Sequence, residues 1–120
     1  STAHDLANYA EMIRQKGVFK GRRIVSRAAV QLSSGNFTAY DQEFRGLGWL
    51  LRNPRSFWFG GDYVSEQSFG HTGFTGTSLL FDPEQDLQII LLTNRVHYGR
   101  TEHILQIRPR LHNLILSQSE

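Results

Sequence analysis

Apolar side chains recur at the spacing of one helix face in the first part of the chain. The positions that fall at i, i+3, i+4 and i+7 are Leu6, Tyr9, Ala10 and Ile13. Thr2 stands just before this run and Asp5 follows three residues later, which is the sequence signature of a capped helix start. The pattern predicts a first helix over residues 3 to 16 that ends at Gly17.

A second, shorter helix is predicted downstream. Ser26 is a good N-cap for residues 27 to 32, and Gly35 stands where a C-terminal glycine would end the helix. Residues 18 to 25, between the two helices, are expected to be a connector with room for a short hairpin. Residues 1 to 35 are therefore expected to form a helical segment.

The pattern changes to that of strands after residue 43. The apolar and aromatic segment 44 to 51 predicts a strand, and its two glycines indicate a bulge or a close backbone approach. Residues 53 to 67 carry turn-forming residues and predict a loop. Three further strands are predicted over residues 68 to 74, 77 to 82 and 87 to 93. Their short connections allow only antiparallel pairing.

Helical spacing returns at the end of the chain. The apolar positions that share one face there are Leu111, Leu114 and Ile115. Pro109 either starts this helix or kinks a helix that begins near Glu102. This order of elements predicts an α+β domain in which an antiparallel sheet, residues 44 to 94, is packed with helices. The C-terminal helix, residues 100 to 118, is expected to lie on the sheet.

Composition and charge exclude several classes of function. With 120 residues, a net charge of +2 and no run of about 18 apolar residues, the sequence predicts one ordinary domain without a membrane segment. The arginines are scattered, which argues against nucleic-acid binding. The sequence has no cysteine and its five histidines lack metal-binding spacing, so no metal or other cofactor is expected. Histidines such as His112 are expected to be solvated or to cap helices. A periplasmic, a secreted and a cytoplasmic location all stay open.

The most informative segment joins the first two of the three closely spaced strands. Residues 69 to 78 contain a polar triplet ending in glycine, His71-Thr72-Gly73, at the end of a predicted strand. Three other segments accompany it: Ser-Thr-Ala-x-Asp-Leu at residues 1–6, Gly-Leu-Gly-Trp at residues 46–49 and Leu-Thr-Asn at residues 92–94. Together they resemble the serine β-lactamase and penicillin-binding protein superfamily. Its third signature is Lys-Thr-Gly, and class C-like members often carry His-Thr-Gly.

The resemblance implies a β-lactamase-like (transpeptidase-like) fold with an acyl-transfer site at this strand edge. His71 would take the place of the lysine of the signature and orient substrate or relay protons. Thr72 would hydrogen-bond a substrate carboxylate or carbonyl, and Gly73 would leave room for the substrate. The Phe74 amide would form half of an oxyanion hole. Arg95 follows the last strand, where the family often binds an anionic substrate group.

Two elements of that chemistry are missing from the sequence. No serine is followed three residues later by lysine, and no Tyr-x-Asn occurs. A Ser-x-Asn at residues 34–36 stands downstream of the Ser-Thr-Ala segment, whereas the family places this element upstream. The resemblance therefore implies that residues 1 to 120 are the C-terminal portion of one β-lactamase-like domain, inactive alone.

The intact enzyme implied by the resemblance would form an acyl-enzyme from a small acyl substrate, without a cofactor. A β-lactam, a D-amino-acid peptide and an ester are all open as substrates. Strand edges and apolar surface of this portion would have to be covered by the N-terminal portion of the same enzyme or by a second copy of the chain.

Blander interpretations of the same residues stay open. His71 taken alone could be a half-exposed residue at a strand edge without a catalytic task. Arg95 could equally be a surface arginine at the end of a strand. The alternative function for the chain is a non-catalytic binding or assembly module that keeps the β-lactamase-like fold.

Overall fold

The computed structural model describes residues 1–41 and 43–118. Its helices and strands, in chain order, are α1 (Ala3–Arg14), β1 (Val18–Phe19), β2 (Arg22–Arg23), α2 (Arg27–Ser33), β3 (Leu50–Leu51), β4 (Phe69–Thr72), β5 (Ser78–Asp82), β6 (Leu87–Leu91) and α3 (Ile104–Ser117). A single 3₁₀ turn, Ala39–Asp41, lies between α2 and β3.

Helix α1 begins where its sequence predicts. The Thr2 hydroxyl accepts a hydrogen bond of 3.1 Å from the Asp5 amide, which satisfies one of the free N–H groups of the first turn. The helix ends two residues earlier than expected, because Lys16 and Gly17 both have left-handed backbones, with φ of 53° and 92°. The Gly17 amide donates to the Met12 carbonyl at 2.8 Å and closes the helix end.

The segment after α1 contains the predicted hairpin and the predicted second helix. Strands β1 and β2 pair antiparallel, with Val18 opposite Arg23. Helix α2 is capped by Ser26, whose hydroxyl accepts a hydrogen bond of 3.1 Å from the Ala29 amide. Both local predictions are confirmed.

Strands β3 to β6 form one antiparallel sheet in the order β3-β4-β5-β6. In its centre His71 lies opposite Leu79, and Leu80 lies opposite Ile89. Because strands that are consecutive in the chain are also neighbours in the sheet, tight turns are sufficient to connect β4, β5 and β6. The three predicted strands are present, each somewhat shorter than the pattern indicates.

Helices pack on both faces of this sheet. One face is covered by α1, and the buried side chains of that core are Ala10, Met12, Ile13, Val30, Trp49, Phe69 and Phe81. The other face is covered by α3, and the buried side chains there are Phe59, Val64, Leu80, Ile89 and Leu116. Leu80 and Phe81 are adjacent in β5 and enter opposite cores, as the alternation of a strand requires. The predicted α+β class with the C-terminal helix on the sheet is confirmed.

Residues 44–51 do not form the single strand that their composition predicts. Only Leu50–Leu51 is a strand, because the chain turns sharply just before it. The Gly46 amide donates to the Trp49 carbonyl at 2.9 Å, and Gly48 has a φ of 81° that favours glycine. The glycines allow this turn. The apolar side chain of Trp49 is buried in the core beneath α1.

Pro109 lies inside helix α3 and not at its start. Of the two arrangements left open by the sequence, the helix that begins before the proline is the correct one. Proline has no N–H, so the helix lacks the hydrogen bond from residue 109 to the Leu105 carbonyl. Packing of the buried face of α3 on the sheet outweighs this local loss.

A buried carboxylate joins the loop before β4 to the turn between β5 and β6. Asp82 is 1% exposed and accepts hydrogen bonds from the Ser65 amide (2.7 Å), the Ser65 hydroxyl (2.6 Å) and the Gln85 side chain (2.8 Å). Burial raises the pKa of the Asp82 carboxyl, but these hydrogen bonds outweigh it, so the pKa lies below its usual value.

Candidate active site

The end of strand β4 presents an open backbone edge. Strand β5 pairs with β4 along its whole length, from Phe69 to Thr72. On the other side, β3 pairs only with Phe69 and Gly70. The edge from His71 onwards therefore has no strand beside it within the described residues, and a bound molecule could approach the backbone there.

His71 and Thr72 point to opposite sides of the sheet. The His71 ring is exposed, and its Nδ1 lies 2.8 Å from the Thr72 carbonyl oxygen. A carbonyl can only accept, so the neutral ring carries its proton on Nδ1 and presents Nε2 as an acceptor. Thr72 is half-buried and lines a cleft on the α3 side, next to Phe59 and Arg108.

The Phe74 amide points outwards at this open edge. The Gly73 amide donates to the Thr77 carbonyl at 2.7 Å, and the Gly73 carbonyl accepts from the Gly76 amide at 3.0 Å, so both groups of Gly73 face the turn into β5. The peptide bond between Gly73 and Phe74 is trans, so the N–H of Phe74 points opposite to the C=O of Gly73. Among residues 1–41 and 43–118, no group accepts a hydrogen bond from it. It is a backbone donor free to bind a ligand.

Two glycines make the tight turn between β4 and β5 possible. A Cβ at Gly73 would lie 2.0 Å from the Thr77 hydroxyl oxygen, so the space beside Gly73 is filled by Thr77. Gly76 has a φ of 98°, and a Cβ there would lie 2.2 Å from the Thr93 hydroxyl oxygen. The sequence suggests room for substrate as the role of Gly73, and the structure adds this packing requirement.

Arg95 lies against the same turn. Its Nε donates to the Phe74 carbonyl at 2.6 Å, and its guanidinium lies 5.2 Å from the centre of the Phe74 ring. Nη1 also donates to the Thr101 carbonyl at 3.3 Å. Arg100 lies 5.0 Å from the same ring. The structure thus shows Arg95 holding the turn beside the site, with two of its donors engaged by main-chain carbonyls.

Arg108, which the sequence does not single out, reaches the turn from helix α3. It is 3% exposed, and its Nη2 donates to the carbonyls of Gly73 (3.1 Å) and Thr77 (2.8 Å). Burial lowers the pKa of the Arg108 guanidinium, and the positive charge of Arg95 lowers it further. Apolar spacing gave no signal for Arg108, because two of the four buried residues of α3 are polar: Ile104, Arg108, His112 and Leu116.

His112 is completely buried, so the expectation that it is solvated or caps a helix is wrong. Its Nδ1 lies 3.1 Å from the Phe59 carbonyl, which can only accept, so the proton is on Nδ1. Nε2 is buried and has no partner among the described residues. Burial lowers the pKa of the His112 imidazole, and nearby Arg108 contributes in the same direction. His112 is thus a neutral side chain that anchors the loop of Phe59 to α3.

A cleft of about 390 Å³ opens between the end of β4, strand β3 and helix α3. Its walls combine apolar side chains such as Leu50 and Phe59 with the polar groups of Asn53, Thr72 and Arg108. Small-molecule sites usually have mainly apolar walls with a few polar groups, and this cleft is more polar than that, since Glu43, Arg45 and Ser56 also line it. No group of three or more histidine, aspartate or glutamate side chains that could hold a metal ion is found in residues 1–41 and 43–118.

Comparison with known proteins identifies the family of the chain. A family model described as Beta-lactamase matches residues 1–112, and the chain belongs to this family. A β-lactamase from Mycobacterium bovis, solved as a crystal structure, superposes with a TM-score of 0.74 at 23% identity. The superposition covers 98% of this chain and 44% of that chain, and at this identity it shows the fold alone.

Two curated relatives are considerably longer than the chain. An N-acetylmuramyl-L-alanine amidase of Bacillus subtilis (strain 168) is 35% identical over 98 residues, and a protein of Salmonella enteritidis PT4 named as a D-alanyl-D-alanine carboxypeptidase is 31% identical over 100 residues. Each match covers 81% of this chain and 22% of the relative. The chain therefore matches about a fifth of the length of these relatives.

No helix among the described residues is long and apolar enough to cross a membrane.

Proposed function

We propose that this chain is the C-terminal portion, residues 1 to 120, of a β-lactamase-like domain in a serine hydrolase that works through an acyl-enzyme. The observation that carries the proposal is the unpaired Phe74 amide at the open edge of β4, directly after His71-Thr72-Gly73. A main-chain donor that faces outwards at a strand edge is suited to stabilise the oxyanion of a tetrahedral intermediate.

The nucleophile of the proposed enzyme lies outside residues 1 to 120. The sequence has neither Ser-x-x-Lys nor Tyr-x-Asn, and the curated relatives extend far beyond the matched region. In the intact protein, the serine hydroxyl would attack the substrate carbonyl, and the bond to the leaving group would break as that group takes up a proton. Water would then hydrolyse the acyl-enzyme and regenerate the serine.

Each residue of the open edge has a part in this scheme. His71 presents Nε2 to solvent and would exchange a proton with the reacting groups or orient the substrate. Thr72 would donate its hydroxyl to a carboxylate or carbonyl of the substrate in the cleft. Gly73 and Phe74 form the peptide whose N–H completes the oxyanion hole. Arg95 would attract an anionic substrate group with the guanidinium N–H groups that do not bind the carbonyls of Phe74 and Thr101.

An acyclic amide is favoured as the substrate over a β-lactam, which is a cyclic amide. The names of the two curated relatives refer to amide bonds, one at N-acetylmuramyl-L-alanine and one between two D-alanines. An open strand edge pairs well with an amide substrate, because the peptide offers a carbonyl and an N–H at strand spacing. We therefore propose a peptide or peptide-like amide as the first substrate to test and an ester as the second.

The rest of the enzyme would also cover surfaces that this portion leaves exposed. Within residues 1–41 and 43–118, strand β6 has a neighbour on one side only, and apolar side chains such as Leu47, Ile107 and Leu114 are more than half exposed. Unpaired strand edges and exposed apolar groups favour association. The isolated chain should therefore bind the N-terminal portion, pair with a second copy or aggregate. A compact, stable monomer in analytical ultracentrifugation would contradict this proposal.

The proposal is tested with a panel of substrates on the whole protein and on the isolated chain. The panel contains diacetyl-L-Lys-D-Ala-D-Ala, N-acetylmuramyl-L-alanine, nitrocefin and a p-nitrophenyl ester. We expect turnover of at least one amide or ester by the whole protein and none by the isolated chain. Turnover by the isolated chain would show that the nucleophile lies within it. A lack of turnover by the whole protein would favour the binding or assembly module.

His71→Gln provides the corresponding test of the site. Because His71 is exposed and outside both cores, we expect unchanged stability and a fall in kcat of about 100-fold, the lower range for removal of an acid–base group. His4→Gln is the matched control, since His4 is also an exposed histidine but lies on α1. Equal activity of the two variants would argue against a catalytic task for His71.

A further inference from the structure

Arg108 of helix α3 is a buried cation. It is 3% exposed, and no aspartate or glutamate of the described residues forms an ion pair with it. Its Nε is buried and has no hydrogen-bond partner there either. A buried charge normally needs pairing, and arginine remains protonated inside proteins. Among the described residues, the hydrogen-bond partners of Arg108 are two main-chain carbonyls, those of Gly73 and Thr77.

The contacts of Arg108 connect it to a single peptide group of the site. Its Nη2 donates to the Gly73 carbonyl at 3.1 Å. That carbonyl belongs to the peptide bond between Gly73 and Phe74, and the N–H at the other end of the same bond is the free Phe74 amide. A hydrogen bond from a cation to a peptide oxygen draws electron density towards that oxygen. The N–H of the same peptide then becomes a stronger donor, by roughly 10–30% where such cooperativity has been assessed.

The second contact fixes the orientation of this peptide. Nη2 also donates to the Thr77 carbonyl at 2.8 Å, and Thr77 lies across the turn from Gly73. One nitrogen thus joins both sides of the turn from the α3 side. Because the Gly73 carbonyl is held towards the turn into β5, the Phe74 N–H is held towards the open edge of β4.

Arg95 does not act on the same group. Its Nε donates to the Phe74 carbonyl, which belongs to the next peptide, between Phe74 and Thr75. The N–H at the other end of that peptide is the amide of Thr75. Arg108 is therefore the side chain that bears directly on the Phe74 amide.

We propose that Arg108 is a positioning residue of the oxyanion hole, which orients and polarises the Phe74 N–H through the Gly73 carbonyl. The inference rests on the proposed acyl-transfer function. Arg108 would stabilise the tetrahedral intermediate without touching the substrate. Its loss should lower kcat and leave KM unchanged, because the negative charge on the oxyanion develops only in the transition state.

The test is Arg108→Met in the whole protein, assayed with the best substrate of the panel. Removal of an entire oxyanion donor lowers kcat by about 10²–10³-fold, so weakening one donor should lower it by roughly 10-fold. A boronic acid inhibitor provides a readout independent of turnover, because its serine adduct places a tetrahedral oxygen in the hole. We expect its Ki to rise by the same factor, with KM changed less than about twofold.

Arg110→Met is the matched control, since Arg110 is an exposed arginine on the same helix, and its kinetics should not change. If Arg108→Met does not fold, Arg108→Lys replaces it, because an ammonium retains the charge but lacks the planar fork. We then expect a loss of about threefold in both kcat and inhibitor affinity, intermediate between arginine and methionine.

A folded Arg108→Met variant, or a folded Arg108→Lys variant in its place, with unchanged kcat and Ki would overturn the inference and leave the proposed function intact. A change confined to KM would also overturn it, because it would make Arg108 a substrate-binding residue. If the wild-type protein turns over no substrate of the panel, both the inference and the proposed function fail.

Discussion

Gly73→Ala offers a quantitative test of how the turn at the candidate site is packed. A Cβ at this position would lie 2.0 Å from the Thr77 hydroxyl oxygen, 3.4 Å from the Thr77 Cβ and 3.8 Å from the Thr77 carbonyl oxygen. The first distance is about 1.5 Å shorter than the ~3.5 Å at which non-bonded atoms pack well. The clash therefore involves a single side-chain atom of a single residue.

The expected cost follows from two opposing effects. Overpacking of this kind destabilises by about 1–3 kcal/mol. Replacing glycine by alanine also reduces the freedom of the unfolded chain, which stabilises by about 0.4–1 kcal/mol. For Gly73→Ala we therefore expect a net loss of about 1–2 kcal/mol in the free energy of unfolding. In a Thr77→Ala background the nearest remaining atom lies at 3.4 Å, so the same substitution should be neutral or slightly stabilising.

The assay is a double-mutant cycle in the whole protein, with urea unfolding followed by tryptophan fluorescence. The coupling between the two positions should be about 1–3 kcal/mol, the range for residues in direct contact. Thr77→Val is the control background, because its second methyl group occupies the place of the hydroxyl and should retain the clash. An equal cost of Gly73→Ala in the wild-type and Thr77→Ala backgrounds would refute the steric argument.

Three further predictions concern buried groups. Asp82→Asn should destabilise by about 2–3 kcal/mol at pH 7, since it weakens charge-assisted hydrogen bonds. Because the folded pKa of Asp82 is lowered, the charged carboxylate contributes to the free energy of unfolding above the usual pKa of about 4, and this contribution is lost as the pH falls through the folded pKa. Denaturant titrations below about pH 4 should therefore show the stability of Asp82→Asn approaching that of the wild type. The folded pKa of His112 is lowered, so the free energy of unfolding should decrease as the pH is lowered from about 6.5, by at most 1.4 kcal/mol per pH unit for this group. His112→Asn should remove that pH dependence in unfolding curves between about pH 5 and 7. Leu80→Ala, at a position 1% exposed, should cost about 3 kcal/mol, and a loss below 1 kcal/mol would show that the core on the α3 side is loosely packed.

Local sequence rules predict those parts of the fold that depend on local interactions. Thr2 and Ser26 cap their helices as expected, because an N-cap is decided by the side chain and the next three residues. The β5–β6 hairpin is predicted for a similar reason, since two apolar segments with a tight turn between them can pair only antiparallel.

The predictions that failed depend on packing between distant segments. Residues 44–51 have the composition of a strand, but the chain turns before Trp49, which enters the core and contacts Phe69 and Phe81 at ring distances of 5.4 and 5.5 Å. Local propensity cannot distinguish such a buried turn from a strand. Pro109 in the middle of α3 is a further case in which tertiary packing overrides a local preference.

The candidate site was predicted in part. The triplet His71-Thr72-Gly73 and the role of the Phe74 amide came from family resemblance, and the open edge of β4 gives that expectation a geometry. Arg108 lies 35 residues from Gly73 in the chain, so the sequence alone does not show that the two are in contact. Its position among the buried residues of α3 marks it as unusual only once the buried face of the helix is known.

Covalent labelling of the nucleophile tests the central proposal most directly. The whole protein is treated with a fluorophosphonate, which phosphonylates an activated serine, and the modified residue is identified by peptide mass spectrometry. We predict a single labelled serine outside residues 1 to 120, with slower labelling in His71→Gln. A label on a serine within these 120 residues, or no labelling of the folded protein, would contradict the account.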